Sequence, residues 1–372
     1  MAALATAGDG AAFVRALESY LGERLGASLR VRGVCALGKD GGEKRFGYGV
    51  PLRVDLAGAS VPSVVVHTIT RNRGGHDTLA DRAAQALLAH ETFNTLPRHV
   101  RSLDVGAVLD DGTRVSLARA RDVFFVTEYA AGTPYFEDLD RIASTGEVTE
   151  DDRRRVDGLA ALLATIHRER HVDRAAYVRR LRQLVGADEC IAGLIDTYDA
   201  VDTSGFTSEA QLLSIEQSAV AWRHRLKAYS HRLARVHGDF HPWNMLFESG
   251  ARTPILLDRS RGALGEPADD VAALVVNYLV RALDCDGGMT GPFGELWRRF
   301  FQRYLAASGD DEILRVLPPY LAWRALVLAS PVWYPRFDPA LRRRIFGFIE
   351  AVLGADRFAF ESPEAWLSAP EP

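Results

Sequence analysis

The sequence HGDFHPWN at residues 237–244 is followed by two short apolar runs separated by a polar turn. The first run, residues 245–247, reads MLF. The second run, residues 255–257, reads ILL and is followed directly by Asp258. Two apolar runs joined by a turn of this length predict a β-hairpin. Such a hairpin returns Asp258 to the neighbourhood of Asn244, so that polar side chains gather at one end of two strands.

Three of these polar side chains fit one chemistry. Asp239 and Asn244 are separated by four residues, of which Pro242 stiffens the turn. Phosphoryl transfer from ATP needs a carboxylate beside the acceptor hydroxyl and oxygen ligands that hold Mg²⁺ on the phosphates. A lone D-x-x-x-x-N pattern is usually a solvated loop. The hairpin that adds Asp258 to the pair favours a phosphoryl-transfer site.

Length and composition indicate a globular protein with two lobes or domains. The 372 residues are long for one core, and 47% apolar with 25% charged residues is ordinary for a soluble protein. A net charge of −4 gives no polybasic signature. We therefore expect no nucleic acid and no anionic membrane as a partner, while the oligomeric state stays open.

The sequence also carries signals for the cellular compartment. Cys35, Cys190 and Cys285 form no CxxC pair, which fits a reducing compartment without structural zinc. The first ten residues lack the basic and apolar regions of a signal peptide, and the apolar run 271–280 is too short to span a bilayer. We expect a cytoplasmic protein.

Periodicity divides the chain into a strand-rich first part and a helical second part. We predict an α+β fold with a small antiparallel sheet lobe over residues 1–130, containing one inserted helix, and a helical lobe over residues 131–372. Strands are predicted at residues 30–37, 50–56, 61–70, 103–109 and 122–129. Helices are predicted at residues 11–24, 79–95, 157–167, 175–184, 212–229, 269–283, 295–307, 312–328 and 339–353.

The sequence GEPADDVA at residues 265–272 predicts a helix start, with Asp269 or Asp270 as its cap. We expect Asp270 also to accept hydrogen bonds from the backbone of the 237–244 loop, as support for it. His237 is expected to be a buried side chain that holds this loop, and Trp243 to be a core or pocket-wall aromatic.

These motifs, residues 237–244, Asp258 and residues 265–272, resemble the aminoglycoside phosphotransferase family, and the order of the lobes agrees. The resemblance implies a two-lobed, protein-kinase-like fold and an ATP-dependent transfer to a small hydroxylated molecule. It implies that Asp239 is the catalytic base or hydroxyl-orienting residue and that Asn244 and Asp258 bind magnesium. The backbone near Glu128 and Ala130 would receive the adenine; GTP stays open as the donor.

The phosphate-anchoring part departs from the family pattern. A strand lysine is expected there, but residues 64–70 contain none. His67 occupies the equivalent position, Arg71 is a second candidate, and Glu91 is the only glutamate of the following helix. The glycine-containing residues 38–49 are a candidate phosphate-covering loop.

The two arginines that follow Asp258 leave two roles open. Arg259 and Arg261 could neutralise the transferred phosphoryl group, or they could form structural salt bridges with Glu266, Asp269 or Asp270. We expect the salt bridges.

Two functions remain as hypotheses: a small-molecule kinase, and a catalytically impaired nucleotide- or metabolite-binding protein, which the missing lysine suggests. A protein kinase is disfavoured, because the interval between Asp258 and Asp270 is too short for an activation segment. For the acceptor pocket, acidic Asp284 and Asp286 and a set of aromatics are candidates: Trp297, Trp323, Trp333 and Tyr334.

Overall fold

The computed structural model of the chain describes residues 10–25, 28–37, 51–72, 75–259, 261–285 and 289–367. The chain divides into two compact units, Met1–Thr127 and Glu128–Pro372. Strands and helices occur together, which confirms the predicted mixture. The candidate phosphate-covering loop at residues 38–49 and Asp286 lie outside the described residues.

The first unit contains a three-stranded antiparallel sheet in the order β1-β2-β3. Alternate residues of β2 point into a small core, where Val54 and Leu56 meet Leu17 and Leu21 of helix α1. This packing follows from the two-residue period of a strand and the helical spacing of α1. The elements are α1 (Gly10–Leu25), β1 (Arg30–Ala36), β2 (Leu52–Ala57), β3 (Ser63–Val66), α2 (Leu79–Phe93), β4 (Gly106–Val108) and β5 (Arg114–Ser116).

The predicted strand at residues 122–129 is wrong. Strand β4 pairs instead with β5, because the turn closed by the hydrogen bond from Gly112 N to Leu109 O (2.9 Å) leads directly into Arg114–Ser116. Residues 122–129 have no strand partner in the described structure, and Phe124 and Phe125 are about nine-tenths exposed. The strand-forming side chains of residues 122–129 thus did not suffice to form a strand, because strand formation depends on a neighbouring strand to pair with.

The second unit is mainly helical, with short strands that join its loops. Strands β6, β8 and β9 form one small sheet and β7 pairs with β10. The helices are α3 (Tyr135–Thr145), α4 (Glu150–His167), α5 (Arg174–Gly186), α6 (Ile191–Asp196), α7 (Glu209–Leu226), α8 (Pro267–Cys285), α9 (Pro292–Ser308), α10 (Ile313–Val316), α11 (Pro318–Ala329) and α12 (Pro339–Leu353). The strands are β6 (Thr133–Pro134), β7 (Ala234–Arg235), β8 (Met245–Phe247), β9 (Ile255–Leu256) and β10 (Leu264–Gly265). Short 3₁₀ helices are Thr197–Ala200, Lys227–Arg232, Pro242–Asn244 and Pro363–Trp366.

Helix α8 is the centre of this unit. It is buried on almost every side and packs against α4, α9, α11 and α12. A helix that is apolar all round is stable only inside a core, which explains its position. None of the helices within the described residues is long and apolar enough to cross a membrane.

The predicted helix at residues 312–328 is two helices, α10 and α11. Pro318 and Pro319 lie at the break. A proline has no N–H to donate and is tolerated in the first turn of a helix, so α11 begins there. Helices α3 and α6 were absent from the prediction.

The hairpin predicted after residue 244 is confirmed. Met245 of β8 pairs with Leu256 of β9, and Leu246 pairs with Ile255. Next to these pairs, Leu257 N donates a hydrogen bond to Asn244 O (2.9 Å), which places Asn244 beside the residue that precedes Asp258. Helix α4 touches the turn of this hairpin, because Gly158 has no Cβ to collide with the carbonyl of Arg252.

A buried ion network anchors the segment that leads into the 237–244 loop. Arg232, at the end of a 3₁₀ helix, lies 2.8 Å from Glu266 Oε1 and 2.6 Å from Asp310 Oδ1. Glu266 precedes α8 and also accepts a hydrogen bond from Tyr177 of α5 (2.8 Å). The network therefore links α5, the start of α8 and the loop before α10.

We predict that Arg232→Met lowers the free energy of unfolding by about 3–5 kcal/mol, because the buried carboxylates of Glu266 and Asp310 lose the positive charge of Arg232. Urea denaturation measures this. The control is Arg235→Met, whose ion pair with Glu169 (2.7 Å) is half exposed and is expected to cost at most about 1 kcal/mol. Equal losses in the two variants would contradict a structural role for the network.

Candidate active site

A buried carboxylate fixes the 237–244 loop. Asp270, in the first turn of α8, accepts hydrogen bonds from the backbone N–H groups of His237 and Gly238, both at 2.7 Å. Its Oδ2 also lies 3.0 Å from His167 Nε2, and His167 Nδ1 lies 2.8 Å from the Tyr304 hydroxyl. The predicted supporting role of Asp270 is confirmed.

The charge of Asp270 is held by these same contacts. Burial opposes ionisation of the Asp270 carboxyl. The hydrogen bond and the charge of His167, together with the two backbone N–H groups, outweigh burial and lower the pKa of Asp270. An ionised acceptor binds N–H groups more strongly than a neutral one. The loop backbone is thus hydrogen-bonded to a carboxylate whose ionised form these contacts favour.

His237 and Gly238 shape the loop from inside. His237 is buried, and its Nδ1 accepts a hydrogen bond from Asp239 N (3.3 Å), which agrees with the expected structural role. Gly238 has φ +90°, in the left-handed region, and a Cβ there would lie 3.2 Å from Arg261 Cβ. Only glycine adopts this conformation without strain, so the turn before Asp239 depends on it.

Arg324, a residue that the sequence analysis missed, binds Asp239. Its guanidinium lies 2.6 Å from Asp239 Oδ1, donates to Gly238 O (2.9 Å) and lies 2.6 Å from Asp269 Oδ1. It also stacks over Trp323, 4.0 Å from the ring centroid. The available signal was a lone arginine in the apolar sequence of α11, since a charge inside a core must be paired.

The pKa of Asp239 is held well below its usual range. Burial alone would raise it, but the hydrogen bond with His241 and the charge of Arg324 outweigh that effect. His241 Nε2 lies 3.4 Å from Asp239 Oδ2, so the imidazole faces the same carboxylate. Asp239 is therefore ionised across the neutral and mildly acidic range.

Asn244 and Asp258 stand at the same end of the hairpin as Asp239. The Asn244 side-chain amide nitrogen donates to Asp239 O (3.1 Å) and faces Asp239 Oδ2 at 3.4 Å, which leaves its oxygen for another partner. Asp258 has φ +44°, an uncommon conformation for a residue with a Cβ. A carboxylate and an amide oxygen are hard ligands, and this donor set fits Mg²⁺.

A cavity of about 410 Å³ opens beside these residues within the second unit. Asp239, His241, Asp258 and Arg324 lie along one part of its wall, and the rest of its lining includes apolar side chains of α8 and α11. Trp243 also lines it, half exposed, with its ring stacked on Phe136 at 3.7 Å between centroids. Trp243 is therefore a pocket-wall aromatic.

The structure separates the other aromatic candidates. Trp297 and Trp323 are core residues whose indole N–H groups donate to backbone carbonyls. Trp333 and Tyr334, just after α11, line the cavity. Asp284 is not among the residues that line it.

The expected salt bridges of the two arginines after Asp258 do not form. Arg259 donates to the carbonyl oxygens of Val236 (2.8 Å) and Ala263 (3.0 Å). Arg261 lines the cavity and pairs with Glu189 at 3.2 Å. The acidic residues near α8 already have partners in Arg232, Arg324 and His167, which explains the error.

The candidate nucleotide-binding residues lie away from regular structure. His67 is exposed and follows strand β3 in the first unit. Glu128 and Ala130 are at the start of the second unit, before β6; Glu128 is exposed and Ala130 partly buried. Their roles stay predictions.

Comparison with known proteins gives the class of the chain. The model of the phosphotransferase enzyme family (APH) matches residues 76–320, well over half of the sequence, and the chain belongs to this family. The matched segment contains Asp239, Asn244, Asp258 and Asp270, whereas Arg324 lies just beyond it. The protein is therefore a phosphotransferase. A search of curated proteins gave no match.

Several solved structures are distantly similar in shape. A choline kinase from Cryptosporidium parvum Iowa II is 10% identical, with 95% of this chain and 98% of that chain covered and a TM-score of 0.39. A putative aminoglycoside phosphotransferase from Ralstonia eutropha JMP134 is 12% identical over 96% and 99% of the two chains, with a TM-score of 0.35. A macrolide 2'-phosphotransferase type I is 17% identical over 95% and 100%, with a TM-score of 0.31.

We predict that Asp269 makes the free energy of unfolding fall as the pH rises between about 4 and 6. Burial raises the pKa of Asp269 to about 6, against the opposing charge of Arg324. An unfolded aspartate titrates near pH 3.9. The folded state therefore binds more protons between these values, and its stability falls as pH rises from about 4 to about 6. Urea denaturation of the wild type and Asp269→Asn between pH 4 and 7.5 measures this difference.

The substitution itself changes the free energy of unfolding by an amount that does not depend on pH. The test therefore uses only how the difference in free energy between the two proteins changes with pH. The stability of the wild type relative to Asp269→Asn should decline through this window and level off above it. Parallel curves for the two proteins would contradict the raised pKa of Asp269.

Proposed function

We propose that this phosphotransferase is an ATP-dependent kinase of protein-kinase-like fold that transfers the γ-phosphoryl group to a hydroxyl of a small molecule. The observation that carries the proposal is the ionised Asp239 at the cavity wall, with Asn244 and Asp258 at the same hairpin end. This arrangement supplies both a hydroxyl-orienting carboxylate and metal ligands. GTP is the alternative donor.

Asp239 acts chiefly by orienting the acceptor. The hydroxyl oxygen forms a bond to the γ-phosphorus, the bond from that phosphorus to the β–γ bridging oxygen breaks, and the hydroxyl proton passes to the Asp239 carboxylate. Because the pKa of Asp239 is low, the proton transfers only as the new bond forms. Positioning and charge stabilisation therefore supply most of the rate.

Asn244 and Asp258 are the residues that would hold the metal. When bound, Mg²⁺ neutralises charge on the nucleotide phosphates. The hydrogen bond from Leu257 N to Asn244 O fixes the residue before Asp258, and so keeps Asp258 at the hairpin end. His67 is proposed to contact the phosphates, and the backbone near Glu128 and Ala130 to receive the adenine.

The size of the cavity supports a small acceptor. About 410 Å³ is within the range of small-molecule pockets. The chain between Asp258 and Asp270 is occupied by strand β10 and the start of α8, which leaves no activation segment of a protein kinase. A hydroxylated metabolite or antibiotic fits these limits.

We predict that Asp239→Asn lowers phosphoryl transfer at least about 100-fold, because the amide neither accepts the proton nor orients the hydroxyl as a carboxylate does. A coupled ADP-release assay over a panel of hydroxylated metabolites and antibiotics finds the acceptor and measures the loss. Thermal shift with Mg·ATP should remain near the wild-type value. Turnover that survives the substitution would exclude Asp239 from this role.

The second candidate function is a nucleotide- or metabolite-binding protein without transferase activity. The absence of lysine from residues 64–70 favours it. Thermal-shift titration distinguishes the two: stabilisation by ATP that requires Mg²⁺, and that Asp258→Ala abolishes, supports the kinase. Binding that is independent of Mg²⁺, or no binding at all, supports the alternative.

A further inference from the structure

Arg261 is a cavity-lining cation with weak partners. Its Nε is buried and has no hydrogen-bond partner among the described residues. One terminal nitrogen pairs with Glu189 at 3.2 Å, and the other lies 3.7 Å from Cys190 Sγ. The guanidinium also stacks over Trp323, 4.8 Å from the ring centroid.

Neither partner satisfies the charge of Arg261. Burial raises the pKa of the Cys190 thiol to about 11, so the sulfur is neutral at pH 7 and offers only a weak acceptor. The Glu189 side chain is 69% exposed. Such a solvent-exposed ion pair contributes little to stability, and an incoming anion can replace it.

The other arginine of the cavity is fully engaged. Arg324 binds two carboxylates and a backbone carbonyl, as described above, and is 93% buried. Of the lining carboxylates, Asp239 is paired with Arg324, Asp258 is assigned to the metal, and Glu189 is paired with Arg261. Arg261 and Glu189 therefore form the exchangeable ion pair of this cavity.

The position of Arg261 favours the acceptor side of the site. Its guanidinium rests against the start of α6, through Glu189 and Cys190, and against Trp323 of α11. The proposed metal ligands Asn244 and Asp258 lie at the end of the hairpin, and Asp258 lines the same cavity. Trp333, half exposed in the same cavity, adds an apolar surface that a ligand can cover.

We infer that the acceptor carries an anionic group, a carboxylate or a phosphate ester, in addition to its hydroxyl, and that Arg261 binds this group. The inference rests on the proposed kinase function. A buried N–H without a partner is destabilising, and an anionic oxygen at Arg261 Nε would supply that partner through a charge-assisted hydrogen bond. Arg261 thus selects hydroxylated anions over polyamines.

Inorganic sulfate is the probe, and quenching of tryptophan fluorescence reports its binding, since Trp323 lies under Arg261 and two other tryptophans line the cavity. Sulfate should bind the full-length protein saturably, and Arg261→Gln should weaken it at least tenfold, while Arg261→Lys keeps most of the affinity. The matched control is Arg225→Gln. Arg225 also stacks on a tryptophan, Trp222 at 4.0 Å, and pairs with an exposed carboxylate, but lies outside the cavity.

The same titration with saturating Mg·AMP-PNP shows whether sulfate occupies the acceptor site or the position of the nucleotide γ-phosphoryl group. Sulfate binding that persists and still depends on Arg261 supports the acceptor site. Binding lost when the γ-phosphoryl position is filled would assign Arg261 to the nucleotide and overturn the inference, as would sulfate affinity equal in wild type and Arg261→Gln. Absence of Mg·AMP-PNP binding would instead contradict the kinase function, independently of the sulfate result.

Discussion

The candidate site depends on one buried carboxylate, Asp270, which receives two backbone N–H groups of the loop that carries Asp239. A loop in a protein interior must satisfy its backbone polar groups, and here a side chain from the central helix does so. His167 holds the other side of that carboxylate from helix α4. The position of Asp239 is thereby tied to the packing of α8, the central helix, against α4.

Arg324 adds the second constraint, because one guanidinium serves both Asp239 and Asp269. Burial raises the pKa of Asp269 despite this guanidinium, whereas at Asp239 the hydrogen bond with His241 and the charge of Arg324 outweigh burial and lower the pKa. The consequence for chemistry is an Asp239 that stays ionised and is a weak base. Such a residue suits a reaction in which orientation and charge matter more than early proton removal.

The cavity is shaped by helices that are far apart in the sequence. Residues of α8 and α11 and the loop after α11 form its walls, and Arg261 reaches it from the segment between β9 and β10. Its charges are largely paired within the protein, and the pair of Arg261 with Glu189 is the solvent-exposed one. The proposed binding of an anionic group by Arg261 would favour an acceptor different from a polycationic sugar.

The sequence by itself determined the local features: the hairpin after Asn244 and the helical character of the second unit, because periodicity and turn residues act between near neighbours. The start of α8 was placed too late, since the helix begins at Pro267 and neither Asp269 nor Asp270 caps it. It also indicated the supporting role of Asp270 through a recognisable motif. The strand expected at residues 122–129 failed for lack of a partner, and Arg324 and the surroundings of Arg261 were missed. Only the tertiary structure decided these, since a strand ladder, a buried ion pair and an unsatisfied donor depend on residues brought together from distant parts of the chain.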